Sequence, residues 1–213
     1  IKVLRCEHQR SITAVRRARV EAEVLRRIVH PGIVRVLAAG SDEAHGLFYT
    51  VMELLRGVTL AERLGQEGRL GVAETLAIGA SVADSLAVLH AMNIVHRDIK
   101  PENVFLTGEG RVVLMDLGVA ELHGQALATV STVAVVAAAR SGGDVLIGTL
   151  EYMSPEQIHR MSPVDARADL YALGIVLFKC LTGYNPATGP LDGREPGAAR
   201  HHAAWHMLRI PPL

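Results

Sequence analysis

Lysine is scarce in this chain: three residues, Lys2, Lys100 and Lys179, stand among 22 basic ones, and the other 19 are arginine. Cysteine is scarcer still. Cys6 and Cys180 lie far apart with no paired spacing, which fits a reducing compartment better than a disulfide scaffold, so a cytoplasmic location is expected. Net charge is absent, with 22 basic residues against 22 acidic ones, and bulk charge therefore gives no reason to expect a nucleic-acid partner. Long hydrophobic runs are missing too. The stretch from Ala126 to Ala139 is interrupted by Thr129, Ser131 and Thr132 and is too short to span a bilayer, so no membrane segment is expected within the chain. The first residues carry no signal-peptide pattern. What is present is apolar: 49% hydrophobic against 21% charged residues over 213 positions, enough to bury a core in one large domain or two lobes.

The order of patterns along the chain is uneven. "IKVL" reads as the end of a short strand. Residues 11–29 read as a helix opening at Ser11, with Ala18, Ala22, Leu25, Ile28 and Val29 as its apolar stripe. The "HPG" turn at His30 to Gly32 ends it, since the residue before a proline disfavours helical backbone. "IVRVLAAG" and "GLFYTVMEL" read as two strands, and Gly57 as a break after the second. Residues 72–92 then read as a helix burying Leu76, Gly79, Val82, Ala83, Leu86 and Leu89. "NIVHRDIKPENVFLT" reads as a loop into a strand, and "RVVLMDLG" as a strand into a turn. Residues 119–148 show no period. Residues 165–182 are apolar almost all round from Leu170 onward and read as a buried central helix, with a loop over 183–197 and a last helix over 198–208. Strands with one helix, followed mainly by helices, predict an α+β chain with a small mixed lobe over 1–54 and a mostly helical lobe over 55–213.

Three short segments carry the chemistry: "HRDIKPEN" at His96 to Asn103, "DLG" at Asp116 to Gly118, and "SPE" at Ser154 to Glu156. In this order and spacing they resemble the protein-kinase signature, and the pattern is most similar to the bacterial serine/threonine kinases of the eukaryotic type. The resemblance implies a bilobal kinase fold and transfer of the γ-phosphoryl of ATP, with Mg2+, to Ser/Thr hydroxyls of protein substrates. Such chemistry needs little covalent help and rests on positioning and charge stabilisation. By the resemblance, Asp98 accepts or orients the substrate hydroxyl, Lys100 offers a point charge to the transferring group, and Asn103 and Asp116 supply oxygen ligands to Mg2+.

Lys2 corresponds to the small-lobe lysine that contacts the α- and β-phosphates, held by a glutamate of the following helix. Glu21 and Glu23 compete for that role. Glu21 lies three residues after Ala18 and four before Leu25, within the apolar stripe, whereas Glu23 points away toward Arg26 and Arg27. Glu21 is therefore the expected partner. "YTVMEL" resembles the last small-lobe strand and the hinge, with Met52 as gatekeeper, backbone groups of Glu53 and Leu55 toward the adenine, and Phe105 beneath the ring. Arg56 stands where relatives carry an acidic or polar ribose contact. Asp169 resembles the acid that braces the catalytic loop and is expected to be buried and satisfied by backbone N–H groups. Val36, Leu25, His96 and Leu117 are expected to stack between the lobes.

The segment between "DLG" and "SPE" offers Thr129, Ser131, Thr132 and Ser141 as phosphorylation sites. A phosphate there adds a charge of about −1.5 to −2, with Arg97 as the expected partner, and two copies of the chain are expected to meet for autophosphorylation. Thr149 matches a threonine beside the acceptor hydroxyl. His201, His202 and His206 read as surface residues of the last helix. No glycine-rich loop precedes Lys2, and no arginine partner for Glu156 is evident before "RIPPL" closes the sequence, which reads as a longer domain trimmed at both ends. Two other classes share parts of the pattern: a pseudokinase or inactive fragment serving as a binding or scaffold module, and a small-molecule phosphotransferase.

Overall fold

The β-branched and aromatic residues of "LFYTVM" favour an extended, half-buried strand, and that strand is the centre of the first sheet. The computed structural model describes residues 1–3, 25–42, 47–116, 151–159 and 164–187. Strands β1 (Lys2–Val3), β2 (Val36–Asp42) and β3 (Leu47–Met52) form an antiparallel sheet in the order β1-β3-β2. Lys2 lies opposite Thr50 and Val36 opposite Met52, with a register shift between Val36 and Ala38. Ser41 and Asp42, expected in the connection, extend β2 instead.

Gly57 does not mark a simple break. It opens β4 (Gly57–Thr59), which pairs with β5 (Val104–Thr107), and β5 pairs with β6 (Val112–Leu114) in a second antiparallel sheet. Gly57 has φ +150°, and a Cβ placed there would collide with the Leu106 carbonyl oxygen. Thr59 then starts helix α1 (Leu60–Glu67) through a capping box: the Glu62 N–H donates to Thr59 Oγ1 at 3.1 Å, and the Thr59 N–H donates to Glu62 Oε2 at 2.7 Å. The sequence reading passed over both β4 and α1.

Helix α2 (Val72–Ala91) buries Thr75, Ile78, Gly79, Val82, Ser85, Leu86 and Leu89. Leu76 and Ala83, expected on that face, are exposed, Leu76 at 63%. The helix is apolar around most of its circumference, so its composition does not single out the packed side. By length and composition α2 is apolar enough to cross a membrane, a longer such segment than Ala126 to Ala139, yet Ile78, Val82, Leu86 and Leu89 belong to the protein core. Helices α3 (Pro155–His159) and α4 (Arg167–Thr182) follow. Helices α2 and α4 approach closely at Gly79, where a Cβ would lie 2.9 Å from Leu177 Cδ2. Helix α4 is not buried all round: Leu170 is 53% and Leu181 40% exposed.

The expected helix over 11–29 is described only at its end. Leu25 and Arg26 are helical, Ile28 is buried, and Val29, placed on the apolar stripe, is 78% exposed because the helix stops before it. The "HPG" turn is then fastened to β6, with the Val34 N–H donating to the Leu114 carbonyl at 2.9 Å and the Leu114 N–H to the Gly32 carbonyl at 2.8 Å. The Ser85 hydroxyl of α2 also donates to the Gly32 carbonyl at 2.9 Å. Residues 4–24, 117–150 and 188–213, and with them the readings made there, lie outside the described residues.

Gly57→Ala forces a Cβ against backbone and strains φ at once. We expect a loss of about 1–3 kcal/mol of unfolding free energy, read from the urea midpoint at unchanged m-value.

Candidate active site

The loop that follows α2 has no regular hydrogen-bond ladder, so its backbone groups need other partners. Asp169, in the first turn of α4 and fully buried, supplies them. Its Oδ2 accepts from the His96 N–H at 2.8 Å, and its Oδ1 from the Arg97 N–H at 2.7 Å. His90 Nε2 of α2 lies 2.8 Å from the same Oδ2. A buried carboxylate is stable only when ionic hydrogen bonds replace its water, and three do so here. The expectation for Asp169 holds; His90 is a partner the sequence reading missed. Ile99 and Val104, at 1% and 0% exposure, anchor the loop in the core on either side of Lys100 and Asn103.

His96 is almost fully buried. Its Nδ1 accepts from the Asp98 N–H at 3.3 Å, and Nε2 lies 3.2 Å from the Met115 carbonyl. These partners assign the neutral tautomer with the proton on Nε2. Burial pushes the imidazole below its ordinary value, against the opposing pull of Asp169 and Asp98. The ring thereby joins the loop to residue 115, and the Met115 N–H returns to the Asn103 carbonyl at 2.9 Å. These two bonds bring Asp116 beside the loop.

Around Asp98 the polar groups converge. Lys100 Nζ donates to both carboxylate oxygens, at 2.9 and 2.8 Å. Asn103 Nδ2 donates to the Asp98 carbonyl at 2.7 Å and to Oδ2 at 2.9 Å. The single 3₁₀ turn Pro101–Asn103 sets the spacing that makes this convergence geometrically available. With its NH2 committed to Asp98, Asn103 has its amide oxygen left as an acceptor. Asp116, at φ +45°, accepts from Lys2 Nζ at 2.7 Å across 114 residues of sequence. Both partners are about half exposed, so the pair contributes at most about 1 kcal/mol. An amide oxygen and an accessible carboxylate are hard donors, and their chemistry fits Mg2+. Among the described residues no cluster of His, Cys, Asp and Glu makes a separate metal site.

Met52 ends β3 half-buried, and Phe105 of β5 lies opposite Thr59 and Val113. The Glu53 N–H donates to the Arg35 carbonyl at 2.9 Å, and its side chain accepts from the Arg35 N–H at 3.0 Å and from Arg111 at 3.3 Å. The half-buried Leu55 follows, two residues before β4. Arg56 is exposed, with its carbonyl accepting from the Gly108 N–H at 3.0 Å. Val36 is buried and Leu25 packs against the core. Arg97 has its guanidinium 3.3 Å from the Val164 carbonyl. Glu21, Leu117, Thr129, Ser131, Thr132, Ser141 and Thr149 lie outside the described residues. Lys179, the third lysine, donates to Tyr152 Oη at 3.0 Å, a contact the sequence reading did not foresee.

A family model for the protein kinase domain matches residues 1–204. The serine/threonine-protein kinase PknB of Mycobacterium tuberculosis is 37% identical over 191 residues, covering 89% of this chain and 29% of that protein. PknL of Mycobacterium bovis is 34% identical over 189 residues, covering 89% of this chain and 44% of its own length. The crystal structure of the Mycobacterium tuberculosis PknI kinase domain superimposes with a TM-score of 0.64 at 28% identity, covering 87% of this chain and 64% of that one. The chain therefore belongs to the protein kinase domain family, has its bilobal α+β fold, and is similar to bacterial serine/threonine kinases. It spans less than half the length of the curated relatives it matches.

Two outcomes follow from this geometry. Asp169→Asn turns an NH2 toward backbone donors and is expected to cost about 2–3 kcal/mol, measured by urea denaturation. His96 gives a pH signature. The unfolded chain takes up a proton near 6.5 while the folded chain resists it, so this histidine lowers stability as pH falls below 6.5 and contributes nothing above. The slope approaches about 1.4 kcal/mol per pH unit, and the difference between wild type and His96→Phe across pH 5 to 8 should show it.

Proposed function

We propose that this chain forms the catalytic part of a protein kinase that moves the γ-phosphoryl group of ATP to a serine or threonine hydroxyl of a protein. The observation that carries the reading is the Asp98 carboxylate, fixed by Lys100 and Asn103 within 2.8–2.9 Å, with Asp116 tied to the same loop through Met115. Asp98 accepts the hydroxyl proton as the acceptor oxygen bonds to phosphorus and the bond to the departing ADP breaks. Lys100, already on the Asp98 carboxylate, places its ammonium where negative charge gathers. Asn103 through its amide oxygen and Asp116 through its carboxylate would hold Mg2+, which when bound neutralises phosphate charge. Lys2 leaves Asp116 for the phosphates, with Glu21 as its proposed brace. Met52, the Glu53 carbonyl, the Leu55 N–H and Phe105 frame the adenine, at the junction between a partial small lobe, 1–54, and a partial large lobe, 55–213. The proposed reducing, cytoplasmic setting rests on the wide spacing of Cys6 and Cys180; burial pushes the Cys180 thiol up to about 11 and leaves it a poor nucleophile.

A binding module without transferase activity is the second reading. It is favoured by the direct Lys2–Asp116 contact, which occupies both groups at once. The half exposure of that pair supports the first reading, since such contacts exchange readily.

With a generic protein acceptor and Mg·ATP, the kinase containing this chain should phosphorylate Ser and Thr, and Asp98→Asn should lower kcat by about 10²–10⁴-fold. Equal labelling by wild type and Asp98→Asn overturns the catalytic reading in favour of the binding module.

A further inference from the structure

At the start of helix α3 the Gln157 side chain does more than close the first turn. Ser154 precedes Pro155, a residue suited to the first helical position. The Ser154 N–H and its Oγ both reach Gln157 Oε1, at 3.0 and 3.1 Å, and the Gln157 N–H returns to the Ser154 carbonyl at 3.0 Å. Glutamate caps a helix in this way as well as glutamine does. Only glutamine keeps an amide NH2, and here that group donates to the Arg97 carbonyl at 3.1 Å, across 60 residues of sequence. Gln157 and Ser154 are buried, at 7% and 1% exposure.

The Arg97 carbonyl belongs to the peptide unit that carries the Asp98 N–H. Arg97 has φ +65°, an unfavourable conformation for a residue with a Cβ. Its own N–H is held by Asp169 at 2.7 Å, and the Asp98 N–H by His96 Nδ1 at 3.3 Å. Gln157 holds the remaining polar group, the carbonyl. The peptide plane ahead of Asp98 is thus clamped at both edges, and one clamp comes from the segment 151–159.

We propose that Gln157 is a positioning residue for Asp98: its side-chain amide fixes the Arg97–Asp98 peptide and couples placement of the 151–159 segment to that of the catalytic carboxylate. This rests on the kinase reading. It does not touch substrate, and its effect runs through the loop backbone.

The test compares Gln157→Glu with Gln157→Met in the whole kinase. Gln157→Glu keeps an acceptor for the Ser154 N–H and Oγ but sets a carboxylate against the Arg97 carbonyl. We expect kcat to fall about 10- to 100-fold in the folded fraction, with KM for ATP little changed and a melting transition that stays cooperative but lies at a lower temperature. As pH falls, protonation of the introduced carboxylate restores a hydroxyl donor toward that carbonyl, so the ratio of the Gln157→Glu kcat to that of wild type should climb. Gln157→Met should stay low at every pH. In both variants at neutral pH, amide hydrogen exchange at Asp98 should speed up, a readout that needs no turnover and so separates this proposal from the kinase reading itself. The proposal is overturned if Asp98 exchange is unchanged, if the Gln157→Glu ratio is flat with pH, or if lost activity only follows the lost folded fraction.

Discussion

Asp169 is closed off from bulk solvent, and the arrangement around it follows from that. A carboxylate at zero exposure costs several kcal/mol unless it is met by strong donors. The donors are two consecutive loop N–H groups and His90, so burying the acid and ordering the loop are one event. Packing helps to set where the acid lies. Helices α2 and α4 approach at Gly79, where no Cβ separates the backbone from Leu177, and each contributes one side of the Asp169 cluster, His90 from one helix and the carboxylate from the other. A core contact between two helices therefore helps fix the backbone that presents Asp98.

The loop is strained as well as held. Among the described residues three without a glycine's freedom have positive φ: Asn93 at 57°, Arg97 at 65° and Asp116 at 45°. Asn93 lies in the turn that closes α2, while Arg97 and Asp116 fall at the site itself. At Arg97 such a conformation costs about 1–3 kcal/mol and persists only where the surroundings enforce it. Here the enforcement is visible. The Arg97 peptide is gripped by Asp169 and Gln157, and residue 115, just before Asp116, is gripped by His96 and Asn103. The strain and the clamps coincide because both serve to aim carboxylates in directions that relaxed backbone would not give.

How much of this was written in the sequence depends on how local the cause is. Lys100 and Asn103 meet Asp98 within five residues, through a single 3₁₀ turn, so their cause is local to the motif, although the contacts with the Asp98 carboxylate were not read from it. Asp169 was legible because an acid beginning an apolar helix has few ways to exist. Strand β4 and helix α1 were passed over although "TLAE" at Thr59 to Glu62 carries the capping signal, because Gly57 was read as punctuation. The packed face of α2 was misjudged at Leu76 and Ala83 because a helix apolar on most sides gives periodicity little contrast. Gln157 and His90 act across 60 and 79 residues, and nothing in their own neighbourhoods announces where their side chains end.

The lysines divide the site into a fixed half and an adjustable half. Lys100 and Asp98 are 19% and 31% exposed, and Asn103 shares the same carboxylate, so their geometry is set before any ligand arrives. Lys2 and Asp116 are 55% and 48% exposed and depend on one another alone among the described contacts. Water and salt screen the second pair far more than the first. A compact ammonium on a flexible stem suits such a contact, where a planar guanidinium would lock the carboxylate by a two-point grip. An otherwise arginine-rich chain thus has at Lys2 a compact ammonium in an exposed, exchangeable contact with the Asp116 carboxylate. At Lys100 the same ammonium is shared by both oxygens of the less exposed Asp98 carboxylate.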